Sequence, residues 1–251
     1  MTRNAPWMPA APTSLPWLTT DQMIEVDRIM NEDLGIGLAQ MMESAGRDLA
    51  HLTRVRFLDG DPRDRRVMVL AGPGGNGGGA LVAARRLHGW GAHVSVIRSA
   101  PRERFTGVPA AQLARVDRLG LDIFDADHID GLTSVDIVLD GIIGYSLAGA
   151  PRGDAATLIE WANASRRPVL SLDVPSGLDT ATGETQDPVI SAAATLTLAL
   201  PKEGLRHPGA RHLVGELYLG DIGVPNELYS SPTLGLDVGG LFAIAEILQI
   251  W

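Results

Sequence analysis

The sequence predicts a doubly wound α/β fold: a three-layer α/β/α, Rossmann-like arrangement in which a mostly parallel sheet carries helices on both faces. Three observations predict it. From Arg66 onward, seven short β-rich runs alternate with helical stretches. The runs are apolar almost throughout rather than alternating, as expected of strands covered on both faces. The first run, Val67-Met68-Val69-Leu70, leads directly into Ala71-Gly72-Pro73-Gly74-Gly75-Asn76-Gly77-Gly78-Gly79-Ala80, which has six glycines in eight positions. Glycine at that density between strand and helix marks a backbone that must turn tightly or let a ligand approach.

Before the first strand, residues 1–18 are rich in Pro, Ala and Trp and read as an extended arm on the surface or a disordered tail. Thr20-Asp21 reads as a helix N-cap, followed by Met23, Ile24, Val26, Asp27, Ile29 and Met30 as a helix as far as the break near Gly35. A second helix is expected from Leu38 to Val55, with the Met-rich stripe Met41, Met42, Ala45, Leu49 and Leu52 as core packing. The expected strands are Val67 to Leu70, Val94 to Ile97, Leu121 to Phe124, Ile137 to Asp140, Val169 to Leu172, Ala194 to Ala199 and Glu216 to Leu219. Helices are expected at Ala80 to Trp90, Pro109 to Leu119, Asp154 to Ala164 and near Val189. Residues 19–226 thus form one α/β domain. Residues 227–251 follow as a helical tail, because Leu241, Ile244, Ala245, Ile247 and Leu248 fall at helical spacing.

Composition narrows the function. A chain of 251 residues, 45% hydrophobic, can bury a full core. Its net charge of −9 and pI near 5.1 argue against duplex nucleic acid, which demands many Lys and Arg on phosphates. With no cysteine there is no disulfide framework, thiolate nucleophile or Cys-type zinc site, which suits a reducing cytoplasm. No apolar run reaches the roughly 18–20 residues of a membrane span.

In a doubly wound sheet, ligands bind beyond the carboxyl ends of the strands. Three segments stand there: the glycine run, Asp140-Gly141-Ile142-Ile143-Gly144, and Asp173-Val174-Pro175-Ser176-Gly177. A strand-end carboxylate has three uses, as a cation ligand, a general acid or base, or a helix cap. Two of them beside a glycine turn favour a site. Residues 72–77 satisfy G-x-G-x-x-G, but the acidic residue expected after the next strand is replaced by Arg98, so only an NADP-type dinucleotide reading survives. The same run nearly fits a P-loop. Gly78-Gly79 stands where Lys and Ser or Thr are required, which argues against a nucleoside-triphosphate hydrolase.

Taken together the motifs resemble the NAD(P)H-hydrate epimerases, the YjeF N-terminal domain family, from about Trp17 to Pro225. The resemblance rests on Met23-Ile24-Glu25-Val26-Asp27, Met41-Met42-Glu43-Ser44-Ala45-Gly46, the glycine run and Asp140 to Gly144. It continues through Ser171 to Gly177, Thr197-Leu198-Ala199-Leu200-Pro201-Lys202 and Asp221 to Pro225. It implies an isomerase that interconverts the R and S hydrates of NADH or NADPH, with a separate dehydratase restoring the S form. It also implies one K+ per subunit, held by Asn76, Asp140 and a group of Ser176, and a homodimer as the assembly. Substrate would lie against Gly75, Asn76, Gly77, Gly78 and Gly79. The loop Gly144, Tyr145, Ser146, Leu147, Ala148, Gly149 and Ala150 would cover its phosphates or ribose. Asp173 would contact the hydrated ring. Inverting the hydroxyl-bearing ring carbon requires a proton carrier, and Asp173 is the expected general acid and base.

The glycine run departs from the family's N-N-G-G-D-G at three places, with Gly75 for the first Asn, Gly79 for the Asp and Ala80 for the last Gly. Three readings therefore stay open: a working epimerase, an enzyme of the same fold turned to another substrate through an enlarged pocket, and a non-catalytic nucleotide-binding or scaffold domain. Lys202 faces either the pocket or solvent. His207 and His212 read as loop histidines, and Trp90, Trp161 and Trp251 as packing or interface residues.

Overall fold

The structure, a computed structural model, describes residues 8–131, 134–145, 147 and 149–251. Eight strands form one sheet in the order β3-β2-β1-β4-β5-β6-β7-β8. They are β1 (Arg66–Ala71), β2 (His93–Arg98), β3 (Asp122–Asp125), β4 (Ile137–Gly141), β5 (Val169–Leu172), β6 (Ala194–Leu198), β7 (Glu216–Gly220) and β8 (Ile247–Gln249). The first seven pair in parallel, and β8 closes the edge antiparallel to β7. All seven expected strands are present. Strand order reverses between β1 and β4, the switch point at which doubly wound sheets open a crevice.

In β1, β2, β4 and β5 alternate residues feed two cores. Val67, Val69 and Ala71 of β1 join the larger core with α1 (Thr20–Arg28), α2 (Leu38–Leu52), α3 (Gly75–Gly89) and α4 (Gly107–Arg118). Met68 and Leu70 join the smaller one with α5 (Asp154–Ala164). This two-sided burial is why the strands read as unbroken apolar runs. α1 is capped by Thr19 in a reciprocal capping box with Gln22, one residue before the expected Thr20. Both α1 and α2 end in a π-helical turn, at Ile29–Asp33 and Thr53–Phe57.

Two expectations need correction. Near Val189 there is no helix; Ile190 N–H instead donates to the Ser176 carbonyl. The tail is not a helix either. After the short α6 (Arg211–Val214) and α7 (Asn226–Tyr229), Gly235 and Gly239 adopt φ of +61° and +54°, and the chain runs irregularly into β8. Left-handed glycines interrupt a helix whatever the spacing of its apolar residues. Ile247 and Leu248 are buried as strand residues, whereas Ile244 is 80% exposed. Along this edge Ala11 N–H donates to the Gln249 carbonyl at 2.8 Å, and Trp17 stacks on Trp251 with ring centroids 6.0 Å apart.

Candidate functional site

The glycine run is shorter as a loop than its composition implies. Only Gly72–Gly74 lie between β1 and α3, and Gly75–Gly79 already form the first turns of the helix. The turn closes this tightly because backbone sits on backbone. A Cβ on Gly77 would fall 1.8 Å from the Gly72 carbonyl oxygen, a contact no side chain tolerates. The turn fixes Asn76, whose Nδ2–H donates to the Leu172 carbonyl at 2.7 Å, linking the end of β1 to the end of β5. Gly144 lies against the same amide: a Cβ there would fall 2.7 Å from Asn76 Oδ1.

Asp140, at the end of β4, is fully buried. Oδ1 accepts from the Ser176 hydroxyl at 2.6 Å and Ile142 N–H at 3.2 Å. Oδ2 accepts from the Ser171 hydroxyl at 2.8 Å and Ser176 N–H at 2.9 Å. Burial pushes its pKa up against the pull of these bonds, and among the described residues no ion pair reaches it. A buried carboxylate without a counter-charge is costly, and a bound monovalent cation would supply one. The nearby oxygens of Asn76 and Ser176 are the hard donors such an ion takes. The residues therefore fit the implied potassium.

Asp173, just after β5, takes the left-handed conformation at φ +67°. Asp is among the few side chains that tolerate it, and such positions cluster at functional sites. It is 2% exposed, and Lys202, after β6, is fully buried beside it. Lys202 Nζ donates to Asp173 Oδ1 and to the Leu198 carbonyl at 2.9 Å. Oδ1 also accepts from Leu198 N–H at 3.3 Å. Oδ2 accepts no hydrogen bond among the described residues, so one carboxylate oxygen stays free for a ligand. Of the two placements open for Lys202, the structure selects the pocket.

These groups border a cavity of about 90 Å³, closed on its apolar side by Met23, Met41, Met42, Ala45 and Leu172. Sites that engulf a whole drug-sized ligand measure roughly 300–1,000 Å³, so this one has room for only part of such a ligand. Asp173, Lys202, Asn76, Gly75, Tyr145 and Asp27 supply its polar part. The Tyr145 hydroxyl donates to Asp27 Oδ2. Burial raises the Asp27 pKa and opposes the lowering by Tyr145 and Lys202. The sequence alone does not mark Asp27 as a site residue. Its signal was an acid at i+4 from Met23 and three residues before Met30, on the buried face of α1.

The expected substrate loop is placed at Gly144, Tyr145, Leu147, Gly149 and Ala150; Ser146 and Ala148 lie outside the described residues. Gly77, Gly78 and Gly79 are buried and do not border the cavity, whereas Gly75 does. The two exchanges to glycine differ in outcome. A Cβ on Gly79 would fall 2.8 Å from Leu172 Cδ2 and 3.8 Å from Ala45 Cβ, so apolar side chains fill that place. A Cβ on Gly75, which borders the cavity, would meet only Met42 Cε at 4.0 Å, so the room expected there remains. Gly79→Asp is expected to bury a carboxylate against Leu172, costing about 1–3 kcal/mol and lowering the melting temperature without raising any rate. A rate increase in that variant would contradict this packing.

A family profile described as YjeF-related protein N-terminus matches residues 38–204. The chain belongs to this family. An NAD(P)H-hydrate epimerase of Dehalogenimonas lykanthroporepellens is 44% identical over 214 residues, covering 85% of this chain and 84% of the relative. One of Rhodopirellula baltica is 34% identical, covering 85% and 87%. A bifunctional NAD(P)H-hydrate repair enzyme of Pyrobaculum aerophilum is 36% identical, with 84% of this chain matching 42% of that protein. The crystal structure of yeast YNL200c superposes with a TM-score of 0.78 at 25% identity, over 94% of this chain and all of that one. In this YjeF family member, no helix among the described residues is long and apolar enough to cross a membrane.

Proposed function

We propose that this protein is an isomerase that interconverts the R and S hydrates of NADH and NADPH, with the hydrated nicotinamide ring in the Met- and Leu-walled cavity. The observation that carries the reading is Asp173, buried at a strand end with one oxygen tied to Lys202 and the other free toward the cavity. The names of relatives at 34–44% identity support it.

The ring carbon that bears the hydroxyl adjoins nitrogen. In the form protonated on Oδ2, Asp173 gives a proton to that hydroxyl, the C–O bond breaks with the nitrogen lone pair forming an iminium, and water departs. Water adding to the other face releases a proton and restores the ring with inverted configuration. No electrons are exchanged, so no redox partner is consumed. The apolar wall keeps bulk water from the iminium, and Lys202 fixes the carboxylate's orientation.

Asn76, Asp140 and Ser176 would hold one K+, which supplies positive charge and ties together the turns after β1, β4 and β5. The substrate is a small nicotinamide nucleotide, handed on in the cytoplasm to a separate dehydratase; the bifunctional relatives support that partnership. Replacing sodium with potassium is expected to raise the melting temperature, because an ion that binds only the folded state stabilises it, by about 2.7 kcal/mol at a hundredfold excess over Kd. Asp140→Asn should abolish the difference. An equal potassium response in that variant would move the ion elsewhere. The activity itself is tested by giving the pure R hydrate to the protein and following the epimers by proton NMR. Equilibration faster than in buffer supports the reading, and an unchanged rate refutes it.

A further inference from the structure

We infer that Asp27 is a second catalytic residue of this cavity, exchanging protons on the ring face opposite Asp173. This rests on the epimerase reading. Inversion demands that water leave from one face of the planar iminium and return to the other, so a proton must be given on one side and taken on the other. A single carboxylate fixed beside one face serves only that face. Asp173 is so fixed, by its strand-end backbone and by Lys202.

Among the described residues, one other carboxylate borders the cavity, and it comes from a different element. Asp27 projects from α1, while Asp173 follows β5, and both border the same space. The Tyr145 hydroxyl takes Asp27 Oδ2, and Oδ1 accepts no hydrogen bond among the described residues. Each aspartate thus has one oxygen held and one free. The glycine turn offers no alternative, since the space at Gly79 is filled by Leu172 and Ala45. The groups facing Asp27 from neighbouring elements are Tyr145 after β4, Lys202 after β6 and Asp173 after β5. On its own helix, the adjacent Arg28 is engaged by Glu25 and Asp33 instead. Burial raises the Asp27 pKa above its ordinary value against the lowering by Tyr145 and Lys202.

In the step assigned to it, Asp27 as carboxylate takes a proton from the water adding to the ring carbon, while the proton first given by Asp173 has left in the departing water. Each passage leaves Asp173 as carboxylate and Asp27 protonated; Asp27 then releases its proton to solvent water and Asp173 takes one up, so atoms and charge balance over the cycle.

The test compares the wild type, Asp27→Asn and Tyr145→Phe over the pH profile of epimerisation, with folding checked by circular dichroism. Asp27→Asn keeps size and the Tyr145 hydrogen bond. It is expected to lower kcat by about 10²- to 10⁴-fold, leave KM within about threefold as expected for a group acting in the transition state, and remove one limb of the profile. Tyr145→Phe removes a hydrogen bond that lowers the Asp27 pKa, so the Asp27 limb is expected to move to higher pH. If Asp27→Asn does not fold, the direction of that limb in Tyr145→Phe decides the matter. Wild-type kcat and both limbs in Asp27→Asn, or an unmoved limb in a Tyr145→Phe protein, overturn the inference while the epimerase reading stands. A wild type that fails to epimerise refutes both together.

Discussion

Asp173→Asn is expected to lower epimerisation by about 10²- to 10⁴-fold, the usual share of a positioned proton carrier. The amide keeps the shape of the carboxyl, and its oxygen still accepts from Leu198 N–H, but it cannot give or take the proton. The substitution also leaves Lys202 buried without its anion, since both side chains are almost wholly excluded from solvent. Some loss of stability therefore accompanies the loss of rate. The two effects separate in the double variant Asp173→Asn, Lys202→Met, which carries no unpaired charge. It should recover most of the stability and none of the activity. An Asp173→Asn protein that is folded and retains more than about a tenth of the wild-type rate would place the proton carrier elsewhere.

Lys202→Met alone carries the largest expected effect on stability. Removing one partner of a buried pair leaves an uncompensated charge and costs about 3–5 kcal/mol. At about 2–4 °C per kcal/mol for a domain of this size, the melting temperature should fall by roughly 6–20 °C. The pair also joins distant segments. Leu18 N–H donates to the Pro201 carbonyl at 2.8 Å and Glu203 N–H to the Leu18 carbonyl at 3.0 Å, so the chain before α1 is laid against the Lys202 turn. A melting temperature within 2 °C of wild type in Lys202→Met would mean that water or another group already compensates the pair.

What could be read from the sequence followed from local order. Val67 to Leu70 and Ile137 to Asp140 were recognisable because both faces of the sheet are covered, which leaves no polar alternation. Parallel pairing then brings Asn76, Asp140, Asp173 and Ser176 to one end of the sheet, so their positions after strands carried real information. Legibility ended where contacts over long sequence separations decide. Lys202 reads equally as a pocket or a surface lysine until β6 is laid beside β5, and no local signal gives Asp27 a site role until Tyr145 arrives from 118 residues away. The tail failed for another reason: its apolar spacing fits a helix, but the left-handed glycines and the open edge of β7 make pairing as β8 the better solution. At Gly79 the missing carboxylate was visible, whereas Leu172 and Ala45 filling its place were not.

The most direct test of the account is recovery of NADH from a mixed R and S hydrate by an excess of S-specific dehydratase, with and without this protein. Dehydratase alone converts the S fraction quickly and the remainder at the spontaneous rate of epimerisation. With this protein present, the account predicts a single fast conversion of the whole mixture. A slow second phase of unchanged rate and amplitude would contradict it.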